Sequence, residues 1–528
     1  MRRGRARNVL SAPRSDGAVL PGRRRGVRPR VAGQLAPVAR TRLLLIAAVA
    51  MTALVATSSR YGYHRDELYF IAAGAHPAWG YPDQPLLTPL LARAMDLLAP
   101  GSLLVLRAPA ILACGITTIT TGLLAREAGG GQRAQGLAAA CWAAGAVCLV
   151  TGHFLDTTTY DVCATAVVCL LIARVIRTGD QRLWLPAGAV LGVALLNKSL
   201  IGLVVGVVVL VLLALGPREV LRSRWLAGGA VLAVLGALPY ALWQVAHGLP
   251  QEQLARSIAQ SGAEGGRIGF IPFQLVLIGP LLAPVWITGL LKLIRDPALR
   301  PLRCVAAAYL MLIAVFLATG GKAYYMSGLY PVLLGAGAAA AERWLAQTRG
   351  RVARARAGPV SAAVALTAAA SVVIGLPVLP ARDLQGSIVV ALNPDASETV
   401  GWSRFTTTVA TVYHSLPASE RARTAIFTQN YGEAGAIAHF GPALGLPYPY
   451  SAHNGWALWG PPPNRDNVAL LVGLDRQQAA TAFTNCEIRA RINNGYGLNN
   501  QEQGALVWVC TGERRPWTIL WPSLRHYD

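Results

Sequence analysis

The stretch from Tyr61 to Leu90, YGYHRDELYFIAAGAHPAWGYPDQPLLTPL, sets polar chemistry against an otherwise apolar chain, and its reading governs the rest. His64, Arg65, Asp66 and Glu67 follow one another directly after a hydrophobic run. Asp83 and Gln84 come in a turn framed by Gly80, Pro82 and Pro85. Carboxylates are costly to bury beside a bilayer, so adjacent Asp66 and Glu67 at a membrane mouth point to a cation, a substrate or a proton to be handled. The competing reading is a solvated loop with an interfacial aromatic belt of Tyr61, Tyr63, Tyr69, Trp79 and Tyr81.

Composition frames that loop. The 528 residues are 54% hydrophobic and 14% charged, with a mean hydropathy of +0.42, which marks a polytopic membrane protein. The net charge of +23 would suggest nucleic acid in a soluble chain. Here the arginines gather in short runs between apolar segments, as topology signals do, and no nucleic-acid partner is expected. Residues 1–41 are rich in Arg, Gly and Pro and lack a cleavage signature, so they are expected to form a disordered cytoplasmic tail.

Apolar segments fall near 42–59, 103–125, 134–152, 158–176, 183–197, 199–216, 225–246, 270–293, 303–320, 325–341 and 359–380. This predicts a transmembrane domain of about eleven helices over 42–380, with a first outer loop at 60–102. The break at Asn197-Lys198 is the weak point, because merging its two short halves would reverse all later topology. Loop charge keeps them apart. With the N-terminus cytoplasmic, the basic loops beginning at Arg126, Arg174, Arg218, Lys292 and Arg343 all fall inside. The first loop, the turn from Gly152 to Asp156, Asn197-Lys198 and Gly320-Gly321-Lys322 then share the outer face, with all eight histidines. Two of the chain's three lysines, Lys198 and Lys322, sit at outer span ends.

After about Pro380 the polarity becomes ordinary, and residues 381–528 are expected to form a small α/β domain outside the membrane. Helices are expected at 397–416, 431–440 and 476–483, and strands at 424–427, 468–472 and 505–509. Cys486 and Cys510 are the only cysteines placed in the oxidising compartment and are expected to pair. The other six read as small apolar residues.

The Asp66-Glu67 pair, the acidic turn Tyr81-Pro82-Asp83-Gln84-Pro85, His153 and Asp156, and the Lys322-Ala323-Tyr324-Tyr325 to Tyr330-Pro331 stretch resemble the GT-C glycosyltransferases. The resemblance is to the bacterial protein O-mannosyltransferase-like and aminoarabinose-transferase-like superfamily, and it covers about 42–380. It implies an inverting enzyme at the plasma membrane that moves a sugar from a polyprenyl-phosphate donor to an envelope acceptor, protein, lipid or glycan, at the outer leaflet.

Under that resemblance Asp66 matches the first-loop catalytic Asp and would act as general base, with Glu67 shaping the acceptor site or a metal shell. Arg65, Lys198 and Lys322 are the cations available for the lipid phosphate, and Tyr81, Gln84 and Tyr325 are further substrate contacts. Where aminoarabinose-type relatives carry Glu-Lys-Pro, this chain has Asp83-Gln84-Pro85, so a lysine is lost and weight shifts to Lys198 and Lys322. A divalent metal held by Asp83 with His153 or Asp156 is a further expectation. Each residue has a plainer alternative: Asp156 as a helix cap, Lys198 as a snorkelling side chain, and the tyrosines as belt. A transporter or flippase is the rival class, but the chain has no second copy of the Asp-Glu loop and no matched pair of broken segments.

Overall fold

The structure, a computed structural model, describes residues 35–261 and 266–528, so nearly all of the expected N-terminal tail lies outside it. All eleven apolar runs are helical. The chain enters through α1 (Arg40–Thr57) and then forms a short helical hairpin from the first loop, α2 (Arg65–Ala75) and α3 (Leu87–Leu98). It continues as α4 (Leu103–Glu127), α5 (Gln132–Ala144), α6 (Ala146–His153), α7 (Thr157–Thr178), α8 (Trp184–Leu195), α9 (Leu200–Leu215) and α10 (Arg224–Ala246). After α11 (Pro250–Ser261) come α12 (Gly266–Ile278), α13 (Ala283–Arg295), α14 (Arg303–Thr319), α15 (Tyr330–Ala346) and α16 (Gly350–Gly375).

Among the described residues six helices are long and apolar enough to cross a bilayer singly, and eight if the bent pairs α5/α6 (57°) and α12/α13 (81°) each count as one. The two helices flanking Asn197-Lys198 are separate, as loop charge predicts. At 12 and 16 residues they reach only about 18 and 24 Å, short of the ~30 Å hydrocarbon core. The expected span at 325–341 begins late, because Ala323–Leu329 form a 3-10 turn ahead of α15.

Lipid offers no hydrophobic drive between helices, so close packing of small residues has to hold the bundle. A Cβ on Gly188 of α8 would lie 2.0 Å from the Gly229 carbonyl oxygen of α10, and one on Gly289 of α13 would lie 1.9 Å from that of Leu333 in α15. Only glycine permits these approaches. The lipid-type face stays bare: Leu238, Leu242 and Val245 of α10 are exposed.

The C-terminal domain carries α17 (Ile388–Leu392), α18 (Trp402–Ser415), α19 (Ala418–Arg421), α20 (Tyr431–Phe440), α21 (Arg476–Ala482) and α22 (Trp517–Leu524). Its strands are β1 (Thr424–Thr428), β2 (Tyr450–Ser451), β3 (Val468–Val472), β4 (Phe483–Arg491) and β5 (Leu506–Glu513). They make one sheet in the order β2-β1-β3-β5-β4, parallel across β2, β1 and β3 and antiparallel at β5 and β4. Sequence reading missed β4. This edge strand alternates exposed Asn485, Glu487, Arg489 and Arg491 with half-buried residues, the charged edge that discourages further strand pairing.

Cys486 and Cys510 face each other across β4 and β5 and form a disulfide, with Cα atoms 4.2 Å apart. Closing a loop of that size is worth about 3 kcal/mol in the chain-entropy estimate. Cys486→Ser is therefore expected to lower the domain's unfolding midpoint by several degrees, which a thermal melt monitored by limited proteolysis would read. An unchanged midpoint would make the bond energetically idle.

The membrane part and the C-terminal domain share a core. Leu68, Tyr69 and Phe70 of α2 pack in one apolar cluster with Trp402, Phe405 and Val409 of α18, Ile426 of β1 and Ile437 of α20. Helix α20 lies so close that a Cβ on Gly435 would come within 2.9 Å of the Leu68 backbone.

Candidate active site

The start of α2 fixes the central residues. His64 is the N-cap: its Nδ1 accepts the Asp66 amide at 3.2 Å, while its own amide donates to Glu67 Oε2 at 2.8 Å, a capping box built on histidine. This turns adjacent carboxylates in opposite directions. Glu67 points inward and is fully buried against Arg107 of α4, which donates to it from Nε and Nη2, both at 2.8 Å. The Leu155 amide adds a fourth bond to Glu67. The remaining Arg107 donors go to the Ser58 and Gly62 carbonyls and to His153 Nε2. No oxygen of Glu67 is left for an acceptor or a metal, so the structure places it in the scaffold, not in the acceptor site or metal shell expected of it.

Asp66 points outward, half-exposed, and accepts the Tyr431 hydroxyl at 2.8 Å. Asp83 is arranged in the same way, accepting the Tyr69 hydroxyl at 2.8 Å. The Tyr69 and Tyr431 rings touch at 4.9 Å, so two carboxylates in electrostatic contact are held by two packed tyrosines. Burial pushes the Asp83 carboxyl up to about 7, against the pull of the Tyr69 hydrogen bond. Tyr431 was not singled out in the sequence, and Tyr69 read as belt. Nothing local distinguishes them, since their partners come from distant parts of the chain.

Lys198 and Lys322 converge. Their ammonium groups lie 5.5 and 5.8 Å from the ring centroid of the same residue, Tyr324, and Lys198 is also 5.6 Å from Tyr325. Lys198 donates to Thr158 Oγ1 at 3.1 Å in the first turn of α7, a turn capped by Asp156 through the Thr158 amide at 3.0 Å. Exposed Asp395, ahead of α18, lies within electrostatic reach of Asp66, Asp156 and Lys322 and so links the two sides of the crevice.

Other candidates fall elsewhere. Arg65 turns toward the C-terminal domain, where it meets Gln501, lies 3.9 Å from Glu398 and stacks 4.8 Å over the Tyr431 ring. It therefore neutralises buried acids and does not face the lysines. Tyr81 is buried, its hydroxyl donating to the Ala73 carbonyl at 2.8 Å, and Gln84 is buried beneath the same turn, its carbonyl accepting the Tyr81 amide. Both lie within the turn, and among the described residues the buried Gln84 Nε2 has no hydrogen-bond partner.

The expected metal set does not assemble. His153 is buried against the Arg107 guanidinium, which repels a cation, Asp156 caps α7, and Asp83 is held by Tyr69. Among the described residues one group of side chains does bring three ligand atoms within 4.8 Å of one another: His453, His526 and Asp528.

A cavity of about 500 Å³ opens beside the crevice, lined by Leu195, Ser199, Tyr240, Gln244, Val245 and Leu249. Val245 and Leu249 on its rim are themselves exposed, so it opens sideways onto the apolar surface of the bundle. Ser199 follows Lys198 directly, and Tyr240 and Gln244 reach the Tyr81 carbonyl at 3.4 Å, which joins the cavity to the acidic turn.

Residues 83–243 match the model of the dolichyl-phosphate-mannose-protein mannosyltransferase family. The fold is similar to that of ArnT from Cupriavidus metallidurans. Against the apo form the TM-score is 0.61 at 15% identity, covering 89% of this chain and 98% of ArnT. Against the form bound to undecaprenyl phosphate it is 0.59 at 16% identity, with the same coverage. The oligosaccharyltransferase AglB of Archaeoglobus fulgidus, crystallised with a tethered acceptor peptide, aligns less well: TM-score 0.48 and 14% identity over 76% of this chain and 63% of AglB. Comparison with the curated proteins finds no match. The match over residues 83–243 and the likeness to ArnT together show a fold of the GT-C glycosyltransferase type.

Proposed function

We propose that the chain moves a sugar from a polyprenyl-phosphate donor to an envelope acceptor, with Asp66 as general base and inversion at the anomeric carbon. The observation that carries this reading is the crevice itself: an outward-facing carboxylate on one side, two lysines meeting over Tyr324 on the other, and an apolar cavity opening toward lipid beside them. The undecaprenyl-phosphate complex of ArnT adds support through the shared fold.

In the reaction the acceptor hydroxyl gives its proton to Asp66 as its oxygen bonds to the anomeric carbon. The bond from that carbon to the phosphate oxygen breaks, its electron pair leaving with the lipid phosphate. Lys198 and Lys322 stabilise the charge gained there, in a site partly shielded from water. The prenyl tail stays in the lateral cavity. A single displacement of this kind inverts the configuration.

The same reading sets residues 42–380 in the plasma membrane, with the catalytic first loop at 60–102 and the α/β domain at 381–528 outside it and the N-terminus in the cytoplasm. The basic loop ends support this orientation. Helix α2 belongs to both parts.

The test is transfer from a synthetic polyprenyl-phosphate sugar by the purified protein in detergent. Lys198→Ala and Lys322→Ala are each expected to lower kcat/KM for the donor by about tenfold to a hundredfold, the worth of a hydrogen bond to a charged group. Wild-type kinetics in both variants would return the lysines to interfacial anchoring, and absence of transfer with every polyprenyl-phosphate sugar offered would overturn the donor class.

A further inference from the structure

His453, His526 and Asp528 lie outside the crevice, and the proposed reaction uses none of them. Their backbones are fixed first. His453 follows β2, and the segment after α22 runs alongside it as a parallel bridge: the Asn454 amide donates to the His526 carbonyl and the His526 amide to the Ala452 carbonyl, both at 3.1 Å. Asn454 Nδ2 holds the Asp528 carbonyl at 3.2 Å. The two imidazoles stack at 4.5 Å.

The side chains are then arranged as ligands. His526 Nδ1 faces the Leu524 carbonyl at 3.0 Å. That contact places the ring proton on Nδ1 and leaves the Nε2 lone pair free, the outer-shell device that sets the tautomer of metal-binding histidines. His453 is 4% exposed. Its Nε2 faces Asp528 Oδ1 at 2.5 Å, so ring and carboxylate are already drawn together as a pair, buried on the histidine side, that an ion would take over. The Tyr431 amide donates to His453 Nδ1 at 3.4 Å, a bond at the outer limit of length, and an ion on Nε2, which puts the ring proton on Nδ1, would replace both this weak bond and the direct pairing with Asp528.

We propose that His453 Nε2, His526 Nε2 and the Asp528 carboxylate form a binding site for a zinc-class divalent ion. Two imidazoles and one carboxylate are borderline ligands that favour zinc over magnesium or calcium, and Asp528, which is exposed, leaves a coordination position to water. The ion fastens the chain after α22 to the loop after β2. It also braces the catalytic face, because the His453 ring packs 4.8 Å from Tyr431, whose hydroxyl holds Asp66. This bracing rests on the role proposed for Asp66, whereas binding of the ion does not.

The test uses the full chain in detergent, with any histidine tag removed, stripped with a chelator and titrated with zinc sulfate against a chromophoric chelator. One equivalent is expected to bind at micromolar free zinc or below, with a melting temperature that rises with free zinc and no such rise with magnesium. His526→Ala and Asp528→Asn are each expected to weaken binding by at least roughly a hundredfold while the metal-free melting temperature stays that of the parent. Failure of the parent to bind zinc at micromolar concentration would overturn the site, as would full retention of binding in both variants. A variant that loses zinc yet transfers sugar normally would remove the bracing of Asp66 and leave the metal site standing.

Discussion

Asp66→Asn is expected to abolish sugar transfer in a protein that folds, inserts and binds donor as before. The amide keeps the shape of the carboxylate, and its oxygen can still accept the Tyr431 hydroxyl that holds Asp66 at 2.8 Å. What it cannot do is take a proton from the attacking hydroxyl, and loss of a general base costs about a hundredfold to ten-thousandfold in rate. The residue is half-exposed at the mouth of the crevice, so the change removes little packing and stability should barely move. A reconstituted transfer assay beside a thermal melt reads both quantities. Near-normal turnover would move the base elsewhere, and Asp83→Asn is the next variant to assay, since Asp83 faces the same crevice.

Glu67→Gln, one residue further along, is expected to fail in the opposite way, through folding. Glu67 and Arg107 are both fully buried, and removing one charge leaves the guanidinium without its counter-ion in the interior. Breaking a buried pair from one side costs about 3–5 kcal/mol, a large share of the stability of an ordinary domain. Arg107→Ala should cost as much, while a variant that replaces both residues with apolar side chains of similar volume should recover part of the loss, because neither charge is then stranded. Yield and melting temperature in detergent, across the two single changes and the double, give the coupling directly. A Glu67→Gln protein with parental stability and no activity would return Glu67 to the catalytic chemistry.

The contrast between these neighbours marks where the sequence stops being legible. Eleven apolar runs are enough to place the bundle, and the excess of arginine in alternate loops separates α8 from α9. Strand β3, an unbroken apolar run buried throughout, and helix α20 fall where the sequence predicts them, since both signals are local. Asp66 is legible as polar chemistry at a membrane mouth. The split in roles between Asp66 and Glu67 is not, because it depends on which way the first turn of α2 faces, and His64 as the cap settles that. One usable signal was passed over: Arg107 sits just inside the apolar run at 103–125, and a charge in such a place needs a named partner. A polar turn beside an active loop looks the same whether side chains such as Tyr81 and Gln84 point out or in. The partners of Tyr69 and Tyr431 are set by tertiary packing alone.

The core shared by α2 and the C-terminal domain also sets a problem of timing. Asp66 and Tyr431, now in hydrogen-bond contact, are separated by 365 residues of chain. At synthesis rates of roughly 5–20 residues per second, that separation amounts to roughly 20–70 s. Through that interval α2 is already made while the surface that buries Leu68, Tyr69 and Phe70 does not yet exist. The helix has only its hairpin partner α3 and the bilayer surface to shelter it. Assembly of the crevice thus waits for α20, and a nascent protein stalled before that helix would hold all the membrane helices without the Tyr431 contact to Asp66.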